Sequence, residues 1–247
     1  MVKHFIVIGS SYSLGKRIAL DYCDEKEVKL ATFEKRLKNL AEIFGPDIPV
    51  STHFLQTESK DWASVGKMDM FFKDVELIKD EKTFINIILE DRYLTGLDVA
   101  KYILTQIRCT HLKLEKLVYM CYADYLCETN ERLFVDQIYA YKFGPVIKSV
   151  YETYKRTKQI KEDNKTKYDE ERRRLAVRSR IISSEKGLER LAFINKTIEK
   201  YKDYTASELV DLTHQEFSPW QKNGKGNELN KLIKDQDIIK YHRYETI

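Results

Sequence analysis

The sequence predicts an α+β protein in two parts, and three observations carry that reading. Short β-rich runs alternate with amphipathic stretches over residues 1–92, apolar residues then recur at helical spacing over residues 93–247, and a hydrophobic content of 43% is enough to bury a core. The expectation is a small parallel α/β module at 1–92 followed by an all-α domain at 93–247.

Each element is justified by its local pattern. His4–Gly9 (HFIVIG) is a β-rich run closed by glycine, Ser13–Cys23 (SLGKRIALDYC) has helical spacing, Glu27–Thr32 (EVKLAT) reads as a second strand, and Phe33–Gly45 is a helix closed by glycine. That order is βαβα, and parallel strands need such crossover helices. Pro49–Gln56 is a candidate third strand, and Met70–Asp91 contains one or two more. Thr95 and Asp98 open the next helix, whose Val99, Ile103 and Ile107 repeat every four residues. Thr110 caps a longer helix with a stripe of Leu114, Leu117, Val118, Cys121, Tyr122 and Tyr125. Gly144–Arg156 reads as a third helix with Pro145 in its first turn, where the missing N–H costs nothing. Ser184–Tyr204 is a fourth, and Thr205–His214 is a fifth whose Thr205 and Glu208 form a capping box. Short pieces around Leu229–Lys234 complete the chain.

Composition excludes several classes of function. Charges interrupt every apolar run before the roughly 18 residues that a membrane-spanning helix needs, so no membrane association is expected. The N-terminal run reads as a strand entering a turn rather than a secretory segment, and Cys23, Cys109, Cys121 and Cys127 lack CxxC spacing, which together point to a reducing cytoplasm. A net charge of +4 with 33% charged residues is too balanced for nucleic acid to be the primary partner. The basic character is local, from Lys155 to Arg180, and reads first as a solvated face. His4, His53, His111, His214 and His242 are scattered without metal-ligand spacing, so no metal is expected.

The turn Gly9–Arg17 (GSSYSLGKR) stands where a phosphate-binding loop would stand. Its glycines are one residue too far apart for a P-loop, and Arg17 replaces the Ser or Thr that would hold magnesium. Residues 6–20 (IVIGSSYSLGKRIAL) resemble instead the first turn of short-chain dehydrogenases, a Rossmann-like likeness that continues through Glu27–Leu40. The likeness makes Gly9, Ser13 and Gly15 the cofactor-binding candidates of an NAD(P)-dependent oxidoreductase. Ser13 occupies the middle glycine position, however, and no Asp or Arg ends the second strand to read a ribose, which favours a scaffold role with no cofactor. Tyr151 and Lys155 supply the letters of a Tyr-x-x-x-Lys pair, but with sixteen tyrosines such a match arises by chance.

Three further blocks, Leu112–Leu126, Arg132–Lys155 and Tyr204–Lys222, resemble in order the signature blocks of the Panacea domain family, with Tyr141 where that family often carries Trp. The resemblance covers about residues 95–240 and implies a helical domain found in phage-associated proteins and in antitoxins. The sequence thus reads as α+β overall, a Rossmann-like accessory module at 1–92 and an all-α Panacea-like domain at 93–247 with a basic insertion at about 156–182.

Within these blocks Gly144 suits a positive φ, Pro145 starts a helix, His214 ends a capped one, and Pro219 stops the chain so that Trp220 folds back. Gly144, Pro145, His214, Pro219 and Trp220 are therefore read as a structural set, and no catalytic residue is assigned. The resemblance implies a binding protein that neutralises a cognate toxin by direct contact. Candidate contacts are Tyr139, Tyr141, Phe143, Arg172, Arg173 and Arg174, since aromatic and Arg side chains dominate interface energetics. Alternatives are the oxidoreductase, an adaptor delivering a partner to a protease, and nucleic-acid binding through the basic segment; the N-terminal module is the candidate for setting partner choice or for homo-oligomerisation.

Overall fold

A tight turn at Tyr12–Gly15 reverses the chain between β1 (Val2–Ser11) and β2 (Lys16–Asp24), which pair antiparallel from Lys3 with Asp24 to Ser11 with Lys16. The structure, a computed structural model, describes residues 1–24, 30–45, 49–156, 167–224 and 230–246. The chain divides into two units, Met1–Arg92 and Tyr93–Ile247.

In the first unit α1 (Leu30–Phe44) precedes β3 (Val50–Thr57), which pairs antiparallel with the other edge of β1. Then come α2 (Trp62–Met68), the two-residue β4 (Glu76–Leu77), parallel to β2, and α3 (Glu81–Arg92). The sheet order is β3-β1-β2-β4. One face carries Phe5, Val7, Ile18 and Leu20 against Phe33, Leu40 and Phe44 of α1 and Phe84 and Ile88 of α3. The other carries Ile6, Ile8 and Ala19 against Val65, Phe72 and Val75. Burial on both faces explains why β1 is continuously apolar.

The parallel, Rossmann-like expectation is corrected. Ser13–Cys23 is not a crossover helix: its residues from Lys16 onward are β2, with Ile18, Leu20 and Tyr22 facing one side at period two. Residues at i and i+4 share a face in a strand as well as in a helix, so Ile18 and Tyr22 fit either, and Gly15 at φ 65° closes the hairpin instead. The described part of Glu27–Thr32 begins α1, and residues 25–29 lie outside the described residues. Within Met70–Asp91 the strand content is β4 alone, because Phe84 and Ile88 repeat at helical spacing toward the core.

The second unit runs α4 (Gly96–Gln106), α5 (His111–Thr129), β5 (Ile138–Tyr141), β6 (Gly144–Ile147), α6 (Lys148–Tyr154), α7 (Lys167–Ile182), α8 (Gly187–Tyr201), α9 (Ala206–Thr213), α10 (Pro219–Gly224), β7 (Lys231–Ile233) and α11 (Asp235–Tyr241). It is not all-α: β6-β5-β7 form an antiparallel sheet. Gly144–Ile147, expected to open a helix, is an edge strand, which tolerates Pro145 without its N–H, and the helix starts only at Lys148. Helix α5 is the centre of the unit: Leu114 through Ala123 are all buried, and α4, α6, α8, α9, α11 and β6 pack around it. Of the basic insertion, residues 157–166 lie outside the described residues, and the remainder is α7, anchored through Ile181 and Val177. Among the described residues no helix is long and apolar enough to cross a membrane.

The caps form as the sequence predicts. Thr95 Oγ1 accepts from Asp98 N at 3.2 Å while Asp98 Oδ2 accepts from Thr95 N at 2.9 Å, and Thr205 and Glu208 make the same box at α9. Thr95→Ala is expected to cost about 1 kcal/mol. Chemical denaturation followed by circular dichroism checks this; an unchanged midpoint would show that the Thr95 cap contributes nothing.

Candidate functional site

The three sequence blocks converge where α5, the β5–β6 hairpin and the α9–α10 corner meet. Tyr141 pairs with Gly144, so only Lys142 and Phe143 form the hairpin tip. Gly144 has φ 104°, and a Cβ there would lie 2.7 Å from both Lys116 Nζ and Thr213 Oγ1. Glycine is required twice, for the backbone conformation and for the approach of α5 and α9. Lys116 is fully buried and its Nζ donates to Pro145 O at 2.6 Å.

The α9–α10 corner fastens the same hairpin from the other side. His214 caps α9, its Nδ1 lies 2.6 Å from Val210 O, and its ring sits 3.7 Å from that of Trp220. The carbonyl can only accept, so Nδ1 carries the proton. Trp220 Nε1 donates to Tyr141 O at 2.7 Å. Pro219 does not stop a helix here but begins α10, the position where its missing N–H costs nothing, and Ser218 Oγ caps that helix by accepting from Gln221 N. His214 and Trp220 form a packing clamp on the hairpin.

Beneath the hairpin, α5 carries ionisable groups into the core. Glu115 Oε2 accepts from Ile147 N at 3.3 Å, Tyr119 OH donates to Glu245 Oε2 at 2.7 Å, and His242 bridges Glu245 Oε2 and Asp124 Oδ1, each at 2.8 Å. Burial raises the Glu115 carboxyl and lowers the Lys116 ammonium. Burial alone would lower His242, but hydrogen bonds to Asp124 and Glu245, with their charges, push its pKa from 6.5 up to about 9. These pairings are not legible in the sequence, because Tyr119 and Glu245 are 126 residues apart.

The contact candidates fall into two groups. Phe143 at the tip is 56% exposed. Tyr139 and Tyr141 are half-buried, the first under Lys148 Nζ at 3.8 Å from its ring, the second edge-on to Tyr151 at 5.2 Å. Arg172, Arg173 and Arg174 are exposed on α7, with Arg174 bound to Glu170 at 2.9 Å. Tyr151 and Lys155 are engaged by Tyr141 and Glu152.

The glycine turn is arranged against dinucleotide binding. Tyr12 N and Ser13 N donate to the Asp91 carboxylate at 2.9 and 3.2 Å, and Ser11 Oγ donates to it at 2.8 Å, so a carboxylate from α3 occupies the amides that a pyrophosphate would need. Gly9 lies within β1, where a Cβ would collide with Ile88 of α3, and Gly15 only closes the hairpin.

Across the β1–β2 register the hairpin also gathers His4, Asp21 and Cys23, with ligand atoms within 4.8 Å of one another. His4 Nδ1 meets Asp21 Oδ2 at 2.7 Å and Nε2 meets Thr57 Oγ1 at 2.9 Å, so both ring nitrogens are engaged within the fold. Reading Ser13–Cys23 as a helix hides this cluster.

Two outcomes test the site. Gly144→Ala is expected to lose at least about 2 kcal/mol of stability through backbone strain and displacement of Lys116; wild-type stability would show that neither constraint operates. For His242, a folded pKa of about 9 above the unfolded 6.5 means that its contribution is present in full below pH 6.5 and is lost as pH rises through 9. The stability gap between wild type and His242→Gln should accordingly shrink by about 3 kcal/mol between pH 6 and pH 10. A gap independent of pH in denaturant titrations would mean that His242 is not held as an imidazolium.

Comparison with curated proteins finds no match, and comparison with solved structures finds none. A family model does match, and its span begins on α5, includes the whole β5–β6 hairpin and ends one residue past Trp220. Residues 114–221 match the family described as antitoxin SocA-like, Panacea domain, and it is to this family that the second unit is similar.

Proposed function

We propose that this chain is the antitoxin of a toxin–antitoxin pair, neutralising a cognate toxin by direct protein–protein contact. The match of residues 114–221 to an antitoxin-like domain carries the reading. Two features support it. Three polar side chains of the matched stretch are committed to holding the fold: Lys116 to Pro145, His214 to Val210 and Trp220 to Tyr141. That commitment favours a binding protein over an enzyme.

The second feature is what the fold leaves outside. Lys142 and Phe143 project from a rigid two-residue tip, and α7 presents Arg172, Arg173 and Arg174 to solvent with Tyr168 and Leu175 beside them. Aromatic and Arg side chains on rigid supports lose little entropy on binding. The toxin would be met by the hairpin tip, by the α7 face, or by both.

Co-expression with the product of the neighbouring open reading frame tests the proposal. If that product arrests growth alone, this protein should restore growth and co-purify with it. Phe143→Ser, or reversal of charge at Arg172, Arg173 and Arg174, should weaken rescue without loss of folding, because all four side chains are exposed. A harmless neighbour with no co-purification would sink the reading.

A further inference from the structure

Arg190 lies in the second turn of α8 and is only 5% exposed. Its Nε is buried without a hydrogen-bond partner, and among the described residues its guanidinium makes no hydrogen bond or ion pair. Guanidinium is charged at every physiological pH and carries five donors, and a buried Arg is almost never left unpaired because the desolvation is not recovered. Its neighbours behave ordinarily: Arg132 binds Asp235 at 2.7 Å, Lys186 binds Glu131 at 2.5 Å, and Arg180 binds Asp98 at 3.3 Å.

Arg190 lines a pocket of about 510 Å³ that lies entirely within the second unit. That volume is in the range of small-ligand sites. Tyr93, Leu94, Phe134 and Val135 give it an apolar wall, while Glu131 and Glu185 stand in the same lining. Helix α8 begins beside it at Lys186, in the left-handed conformation at φ 52° and without a side-chain cap, so the positive end of the helix dipole adds to the field of Arg190.

We propose that this pocket binds a carboxylate carried on an apolar body, with Arg190 as its anchor. A planar two-oxygen anion matches the guanidinium fork, and the apolar wall accepts the rest of the ligand. A phosphate dianion fits worse, because the apolar wall of Tyr93, Leu94, Phe134 and Val135 offers its remaining oxygens no donor in place of water. The carboxylate has two sources, a free small acid or the carboxylate that ends a polypeptide.

The test uses the full chain, with calorimetric titration and thermal denaturation at matched ionic strength. The probes are benzoate, N-acetylphenylalanine, the amide of N-acetylphenylalanine, and inorganic phosphate. At least one of the two carboxylates is expected to bind saturably and raise Tm, and the amide to do neither. A benzoate response alone identifies a free acid, and a stronger N-acetylphenylalanine response identifies a chain terminus. Arg190→Met should weaken binding about tenfold or more, and Arg190→Lys, which keeps the charge without the fork, should fall between. Without ligand, Arg190→Met should melt higher than wild type, since a buried unpaired charge has been replaced by an apolar side chain of similar length. The proposal fails if neither carboxylate binds, if the amide or phosphate binds as well as the acid, if Arg190→Met binds undiminished, or if it melts lower without ligand.

Discussion

A helix enclosed on every side has no solvent face on which to put its polar atoms, and α5 is such a helix over Leu114–Ala123. It nevertheless carries Glu115, Lys116, Tyr119, Tyr122, Asp124 and Tyr125 into the second unit. Each makes a specific bond to another element: Glu115 and Lys116 to β6, Tyr119 and Asp124 to the turn after α11, Tyr122 to α11 and Tyr125 to α8. An unpaired buried charge or hydroxyl would cost several kcal/mol, so these bonds dictate where the surrounding elements sit. The apolar stripe supplies most of the stabilisation, and the polar groups select one arrangement among those the stripe alone would allow.

The β5–β6 hairpin shows the same logic on a smaller scale. Lys116 fixes it from below through Pro145 O, Trp220 fixes it from the side through Tyr141 O, and Gly144, by having no Cβ, permits the approach of Lys116 and of Thr213 on α9. The two tip residues inherit that rigidity without contributing to it. A contact surface on such a tip loses little entropy on binding, which suits recognition of a protein partner. In the first unit a similar economy holds the other hairpin: Asp91 at the end of α3 collects the amides of its turn, so the feature most suggestive of a cofactor loop is closed by the fold's own carboxylate.

Much of the second unit is legible in the sequence because its signals are local. Thr95 with Asp98, and Thr205 with Glu208, specify helix starts within four residues, and Gly144 announces its own conformation. The tie between Trp220 and the hairpin is legible only as a chain that folds back, not as a bond to Tyr141. Errors arise where two periods coincide. Ile18 and Tyr22 satisfy a strand and a helix alike, and choosing the helix turns an antiparallel hairpin into a crossover that does not exist. Pro145 misleads for a related reason, since a proline after glycine suits an edge strand as well as a first helical turn. The buried network and the isolated Arg190 are beyond local reading, because burial belongs to the assembled unit and not to any segment of it.

The long sequence separations of the α5 bonds have a meaning in time. The residues that satisfy Tyr122 and Tyr119 lie 113 and 126 positions later in the chain, so on the ribosome α5 is complete long before Asp235, His242 and Glu245 are synthesised. Throughout that interval Tyr119, Tyr122 and Asp124 lack their final partners, whereas those of Glu115, Lys116 and Tyr125 are synthesised earlier. The polar network under α5 is consequently the last part of the second unit to be completed, when the segment around Glu245 arrives.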